Sequence, residues 1–311
     1  MEIPDPPGPL PFTPRRDRLY TQRELNARTP DGRTVDQAIG DWFHASGHAL
    51  DVALARAVHD ASIDAALARH LFGRSVVGVM GGHSDARGSG RYVAIAALGR
   101  ALTRSGYLVA TGGGPGLMEA ANLGAWFAAY PDDDLDAALD LLTDAPSYPT
   151  DRDRFVSVAG SVRERWPAGA DSLGVPTWVY ADEPTSAFST HVAKYFTNSI
   201  REDGLLALAR AGVVYAAGGA GTAQEIFTDA AQNTNTLYEV RSPMVFFERA
   251  FYEEAEPELL AAVRRQAAAF GWAELVTAVD DAPDVLAFLG AHDPDGRGST
   301  VARGRRRPDA R

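Results

Sequence analysis

Two glycine-rich turns constrain this 311-residue chain more than any other feature. The first, Thr111-Gly112-Gly113-Gly114-Pro115-Gly116, follows the apolar run 107–110. The second, Gly218-Gly219-Ala220-Gly221-Thr222, follows the apolar run 213–216. Helical periodicity resumes after each, over 117–129 and 223–232. A short apolar run, a glycine cluster and a helix read as strand, tight turn and helix. Glycine permits positive φ and lets a ligand approach the main chain closely. A helix that begins just beyond presents unpaired N–H groups and the positive end of its dipole to an anion. One such turn is equally well a plain connection. Two of them, with Thr222 and Glu225 in the first turns of the second helix, predict a phosphate-binding crevice. Gly112, Gly113, Gly114, Gly116, Gly218, Gly219, Gly221 and Thr222 are its expected contacts. Glu119 and Asn122, near the start of the first helix, are expected to touch a ribose or base, or else to act as caps. His83, Ser84 and Asp85 follow the first strand and are expected to line the same crevice.

The rest of the chain supports repeated strand–helix units. Residues 75–80 form a buried strand run ending at Gly81-Gly82, and 92–103 show helical spacing. Strands are expected at 175–181 and 244–247, a long helix at 187–211, and a helix at 256–270. A last strand and helix are expected at 275–279 and 283–289. Parallel strands joined by right-handed crossovers follow from this order. The predicted fold class is α/β, a Rossmann-like doubly wound parallel sheet with an N-terminal helical extension. Residues 1–34 read as an extended arm, and 35–72 as two or three helices packed on the core. The Rossmann-like domain spans 73–291 and carries an insertion at 130–174 with one short helix at 135–142 and an irregular remainder. Residues 292–311 read as a disordered basic tail that includes Arg303 to Arg307.

Composition excludes several chemistries. The chain has no cysteine, which removes disulfides, thiol nucleophiles and Cys-ligated zinc and fits a reducing compartment. Lys194 is the only lysine and follows alanine, so no Walker A loop exists and Schiff-base chemistry has no supporting motif. The dinucleotide fingerprint fails at both turns, because the third glycine would fall on Leu117 or Gln224. No cofactor and no metal are expected, since ligand spacing is absent around His83. The net charge of −11 argues against nucleic acid and anionic membranes as partners. Without a signal-like start or a long apolar span, a cytoplasmic location is expected.

The residues 111–122, together with Gly218-Gly219-Ala220-Gly221-Thr222-Ala223-Gln224-Glu225 about a hundred positions later, resemble the LOG family. Its members are Rossmann-like proteins often mislabelled as lysine decarboxylases. Characterised members hydrolyse nucleoside 5′-monophosphates to free base and ribose 5-phosphate. The resemblance runs from about Ser75 to Phe247 and implies an AMP-like small-molecule ligand and a homodimer. It implies Glu225 and Arg201 as catalytic residues. Two departures stand out: Ala217 replaces the proline of the family's PGGxGTxxE motif, and Arg201 is followed by Glu202 instead of lysine. A carboxylate beneath the sugar would stabilise an oxocarbenium-like state and orient water. Glu225 also reads as an ordinary first-turn glutamate complementing the helix dipole, and Arg201 as a surface arginine. A non-catalytic nucleotide sensor or phospholigand carrier on the same fold is therefore the alternative reading.

Overall fold

The computed structural model describes residues 9–180 and 183–294. Its centre is a seven-stranded, wholly parallel sheet of order β4-β3-β2-β1-β5-β6-β7. The strands are β1 (Val76–Met80), β2 (Leu108–Thr111), β3 (Ser172–Gly174), β4 (His191–Val192), β5 (Gly212–Tyr215), β6 (Met244–Phe247) and β7 (Val276–Val279). The central strands are apolar and buried along their whole length, as strands covered on both faces must be. Val76 and Met80 of β1 face one apolar cluster while Val77 and Val79 face the other. The fold is thus doubly wound and Rossmann-like. The chain adds strands in one direction up to β4, then returns to the other side of β1 to lay down β5. That reversal opens a crevice at the carboxyl ends of β1 and β5, where open α/β sheets bind ligands.

One face is covered by α4 (Gly90–Arg104), α5 (Leu117–Trp126), α6 (Asp132–Leu142), α7 (Arg152–Arg165) and α11 (Ala282–His292). The α4 and α5 helices touch through glycine. A Cβ on Gly124 would lie 1.8 Å from the carbonyl oxygen of Ala96, so the helices approach at a distance only glycine allows. The other face carries α8 (Asn198–Leu208), α9 (Ala220–Asn235) and α10 (Pro257–Phe270), together with the N-terminal helices α2 (Val35–Ala45) and α3 (Leu50–Leu71).

The N-terminal residues do more than cover apolar surface. After the short α1 (Gln22–Leu25), α2 begins with a capping box in which Thr34 and Gln37 satisfy each other's backbone N–H groups. Tyr20 exchanges backbone hydrogen bonds with Val192 at 3.0 and 2.9 Å, which covers part of the exposed edge of β4. Asp60 of α3 accepts the backbone N–H groups of Phe196 and Thr197, both at 3.0 Å, at the start of α8. A carboxylate there complements the dipole and fixes where α8 begins. Trp178 stacks on Phe196 with ring centroids 4.5 Å apart beside this contact.

Three sequence expectations change. Residues 187–197 are not helical: they hold β4 and an extended segment, and helix begins only at Asn198. The backbone of this segment is paired with β3 on one side and with Tyr20 on the other, which replaces a helical ladder. The strand expected at 175–181 lies earlier, at Ser172–Gly174, and among the described residues a single bridge from Thr177 to Tyr195 continues it. The stretch expected to be irregular after residue 142 contains the 14-residue α7, capped by Asp151. His292 closes α11, and the basic cluster at 303–307 lies outside the described residues. Among the described residues, no helix is long and apolar enough to cross a membrane.

Candidate functional site

A cavity of ≈ 490 Å³ occupies the crevice at the carboxyl ends of the strands. Both glycine turns reach it: Gly112, Gly113 and Gly114 from the end of β2, and Gly218, Gly219, Gly221 and Thr222 from the end of β5. His83, Ser84 and Asp85 line it from β1, as expected, and Arg201 and Glu225 reach it from α8 and α9.

The two turns differ in what their amides do. Within the first, Gly113 donates its N–H to Thr111 Oγ1 at 3.0 Å. Leu117, the first residue of α5, donates to the Gly82 carbonyl at 2.9 Å. Gly116 has φ +69°, and a Cβ there would sit 2.4 Å from that same carbonyl oxygen. The β1 loop therefore lies across the start of α5 and takes up part of its positive end. Among the described residues the second turn has no such cover. The N-cap of α9 is Gly219, which supplies no side-chain cap, and helix geometry leaves the first N–H groups without partners inside the helix. Cβ atoms added at Gly219 and Gly221 would meet nothing within 4 Å, so both face open space. Of the two helix starts at the crevice, that of α9 is the uncovered one among the described residues.

Three expected contacts do not line the cavity: Gly116, Glu119 and Asn122. Glu119 is buried in a two-point ion pair with Arg87 at 2.8 and 2.6 Å and accepts the Tyr92 hydroxyl at 2.9 Å. Arg87 also bonds to the carbonyls of Ala145 and Phe155, so the pair fastens the β1 loop to α5 and to the segment around α7. Asn122 accepts hydrogen bonds from Thr111 at 2.8 Å and Ser189 at 3.1 Å, beneath the turn. Both side chains lie one layer below the site and hold its walls.

Arg201 joins two walls. Its Nε donates to the Val175 carbonyl at 2.7 Å and its Nη2 to the Gly112 carbonyl at 3.3 Å, while Nη1 lies 3.5 Å from Glu202. Glu202 accepts Asn198 Nδ2 at 3.0 Å and Gln224 Nε2. Glu225 is different: it is 9% exposed, and among the described residues it has no hydrogen-bond partner. Burial pushes its carboxyl up to about 7, with Arg201 opposing the shift and Glu202 adding to it. Such a group takes up and releases a proton near neutrality. Behind it, fully buried Asp229 accepts the Tyr215 hydroxyl at 2.7 Å and the Ser242 hydroxyl at 3.1 Å.

The sequence reading missed Glu183, Lys194 and Glu202 as wall residues. Only Glu202 carried a local signal, its position beside Arg201. Lys194 reaches the wall from the extended segment after β4, where its ammonium group is paired with Asp36 of α2. Burial raises the Glu183 carboxyl, opposed by His83, Arg201 and Lys194. Among the described residues, no cluster of three or more His, Asp or Glu side chains has the arrangement of a metal site.

The glycine turn at the end of β2, with the strands and helices on either side of it, lies in the segment that matches a family model. Residues 74–129 match the SLOG cluster4 family, LDcluster4. The SLOG proteins include LOG-like proteins of Rossmann type, so the likeness to that group stands over this segment. The match takes in β1 to α5 and the first glycine turn but not the second. No curated protein matches the chain in sequence. Among solved structures, the molybdenum cofactor binding protein of the phototrophic bacterium Rippkaea orientalis is similar at TM-score 0.43. It is 15% identical, over 70% of this chain and 96% of that one. The molybdenum cofactor carrier protein of Chlamydomonas reinhardtii aligns at TM-score 0.42 and 18% identity, over 70% of this chain and 99% of its own.

Proposed function

We propose that the crevice binds a nucleoside 5′-monophosphate and hydrolyses its N-glycosidic bond. One observation carries the reading: Glu225, a buried carboxylate with no hydrogen-bond partner among the described residues, stands one helical turn beyond the uncovered start of α9. A phosphate held by the N–H groups after Gly219 would place its ribose near that carboxylate. In its ionised form Glu225 would stabilise positive charge developing on the sugar and accept a proton from the attacking water. Arg201 would keep the turn after β2 at a fixed distance and lend its charge to the phosphate side. The departure at Ala217 leaves one contact of that turn in place, because the Ala217 carbonyl accepts the Gly82 N–H at 3.0 Å and a proline would keep that oxygen.

A specific observation also favours the carrier or sensor reading. Two of the Arg201 donors are already engaged with main-chain carbonyls, and the neighbouring position holds a carboxylate in place of the family's lysine. Incubation of the pure protein with AMP, GMP, CMP and UMP, followed by chromatography for free base, separates the two. Base release supports hydrolysis; binding of a nucleotide without release supports a carrier. The homodimer implied by the resemblance is checked by light scattering on the same sample.

A further inference from the structure

The charges around the cavity are not those of a general anion trap. Lys194 is matched by Asp36 at 2.8 Å, Arg91 by Glu248 at 2.6 Å and Arg201 by Glu202 at 3.5 Å. Each of these cations has its own carboxylate, so anion binding falls to the α9 backbone. Left over on the wall are Asp85, Glu183 and Glu225, none of which has an ion-pair partner among the described residues. Glu202, which stands 3.5 Å from Arg201, also lines the cavity and is held in place by the amides of Asn198 and Gln224. Glu225, 9% exposed and without a hydrogen-bond donor, needs one from whatever fills the cavity.

We propose that the wall formed by Glu202 and Glu225 selects a nucleoside 5′-monophosphate whose base bears a fixed positive charge at the glycosidic nitrogen, such as a pyridinium. The inference rests on the nucleotide reading above and names its substrate class. A single phosphate satisfies the α9 amides, the cationic ring balances the charge of the carboxylates, and the attacking water supplies the hydrogen-bond donor that Glu225 lacks. The chemistry suits such a base. Water attacks C1′, the C1′–N bond breaks, and its electron pair returns to the ring nitrogen and cancels the positive charge. The base leaves neutral and needs no acid to protonate it. The proton of the attacking water passes to Glu225 and then to solvent, giving ribose 5-phosphate, free base and one proton. A lysine at position 202, as in the family pattern, would repel this ring; a glutamate attracts it.

The test is calorimetric titration with nicotinamide mononucleotide and with its reduced form, which has nearly the same shape but a neutral ring. Attraction across a few ångströms in a partly buried site predicts binding of the cationic form at least about tenfold tighter. In Glu202→Gln the gap should narrow to a few-fold, with the loss falling on the cationic nucleotide. Equal affinities in the wild type would overturn the selectivity, and release of base from AMP in the same preparation would show that the hydrolase reading survives alone. A tenfold gap without base release keeps the selectivity and removes hydrolysis. An unchanged gap in a Glu202→Gln variant that melts like the wild type would overturn the role of Glu202. If neither form binds, the selectivity falls, and base release from AMP decides the hydrolase reading by itself. The wild-type comparison decides the matter even if the variant does not fold.

Discussion

The ammonium of Lys194 lies 2.8 Å from Asp36 Oδ1, joining the only lysine of the chain to the first turn of a helix 158 positions earlier. Asp36 also accepts the Trp178 indole N–H at 2.8 Å and the Thr185 hydroxyl at 3.2 Å. The N-terminal segment therefore holds one wall of the cavity.

Asp36→Ala should cost ~3–5 kcal/mol, because it leaves a buried ammonium without its counter-ion. Urea denaturation measures this. Asp36→Leu combined with Lys194→Met should regain most of the loss, since a buried ion pair replaced as a unit by apolar groups is often neutral. A double variant as unstable as the single one would show that the packing of Trp178 and Thr185 matters more than the charge.

Glu225→Gln keeps the shape of the side chain and removes its charge. With any nucleotide the wild type hydrolyses, kcat should fall by about 10²–10³ while affinity is largely retained. Equal losses of binding and rate would make Glu225 a ribose ligand.

Burial raises the Glu225 carboxyl from 4.5 to about 7, with Arg201 and Glu202 facing it and the hydroxyls of Tyr215 and Tyr252 close by. The carboxylate is the working form, so activity should be low at pH 6 and climb through pH 7. A flat profile over pH 5–8 would exclude it as the ionising group.

Gly219→Val and Gly124→Ala should separate binding from folding. At Gly219 the backbone has φ −100°, and an added Cβ meets nothing within 4 Å, so the fold should tolerate the change. Nucleotide affinity should disappear, because the branched side chain stands in front of the α9 amides. At Gly124 the added Cβ lies 1.8 Å from the Ala96 carbonyl oxygen and forces α4 from α5. Overpacking of this kind costs ~1–3 kcal/mol. Calorimetry and thermal melts of both variants give the two readouts.

Asp229 should make stability depend on pH. Its carboxyl is raised from 3.8 to about 7 by burial, against the hydrogen bonds from Tyr215 and Ser242. Between those values the folded chain holds a proton that the unfolded chain has lost, so this group's contribution to stability falls as pH rises from about 4 to 7. Asp229→Asn should flatten that part of the profile, read as urea midpoints across the range. An unchanged slope would assign it to other carboxyls.

Much of the fold was legible because its signals are local. The runs at 75–80, 107–110, 213–216 and 244–247 are short, apolar and followed by turn residues, and the structure places strands over them. The segment 187–197 was misread because its buried Phe188, Val192, Ala193, Tyr195 and Phe196 suit a buried helix as well as an edge strand. What separates the two is the position of Ser172 and Tyr20 beside it, which no window around residue 190 contains.

By itself the sequence determined that two strand–glycine–helix turns exist and that Thr222 and Glu225 share one helix start, because spacing along a helix is a property of the local chain. The tertiary structure decided that the turns are unequal. The Gly82 carbonyl takes the first amide of α5, while α9 stays open to the cavity. It also decided that Glu119 and Asn122 are buried against Arg87 and Thr111 instead of lining the cavity, and that Lys194, Glu183 and Glu202 stand on the wall. Each of these outcomes depends on which backbone or side chain from a distant strand arrives first at a buried polar group. That is set by strand order and crossover, and leaves no trace in the spacing of neighbouring residues.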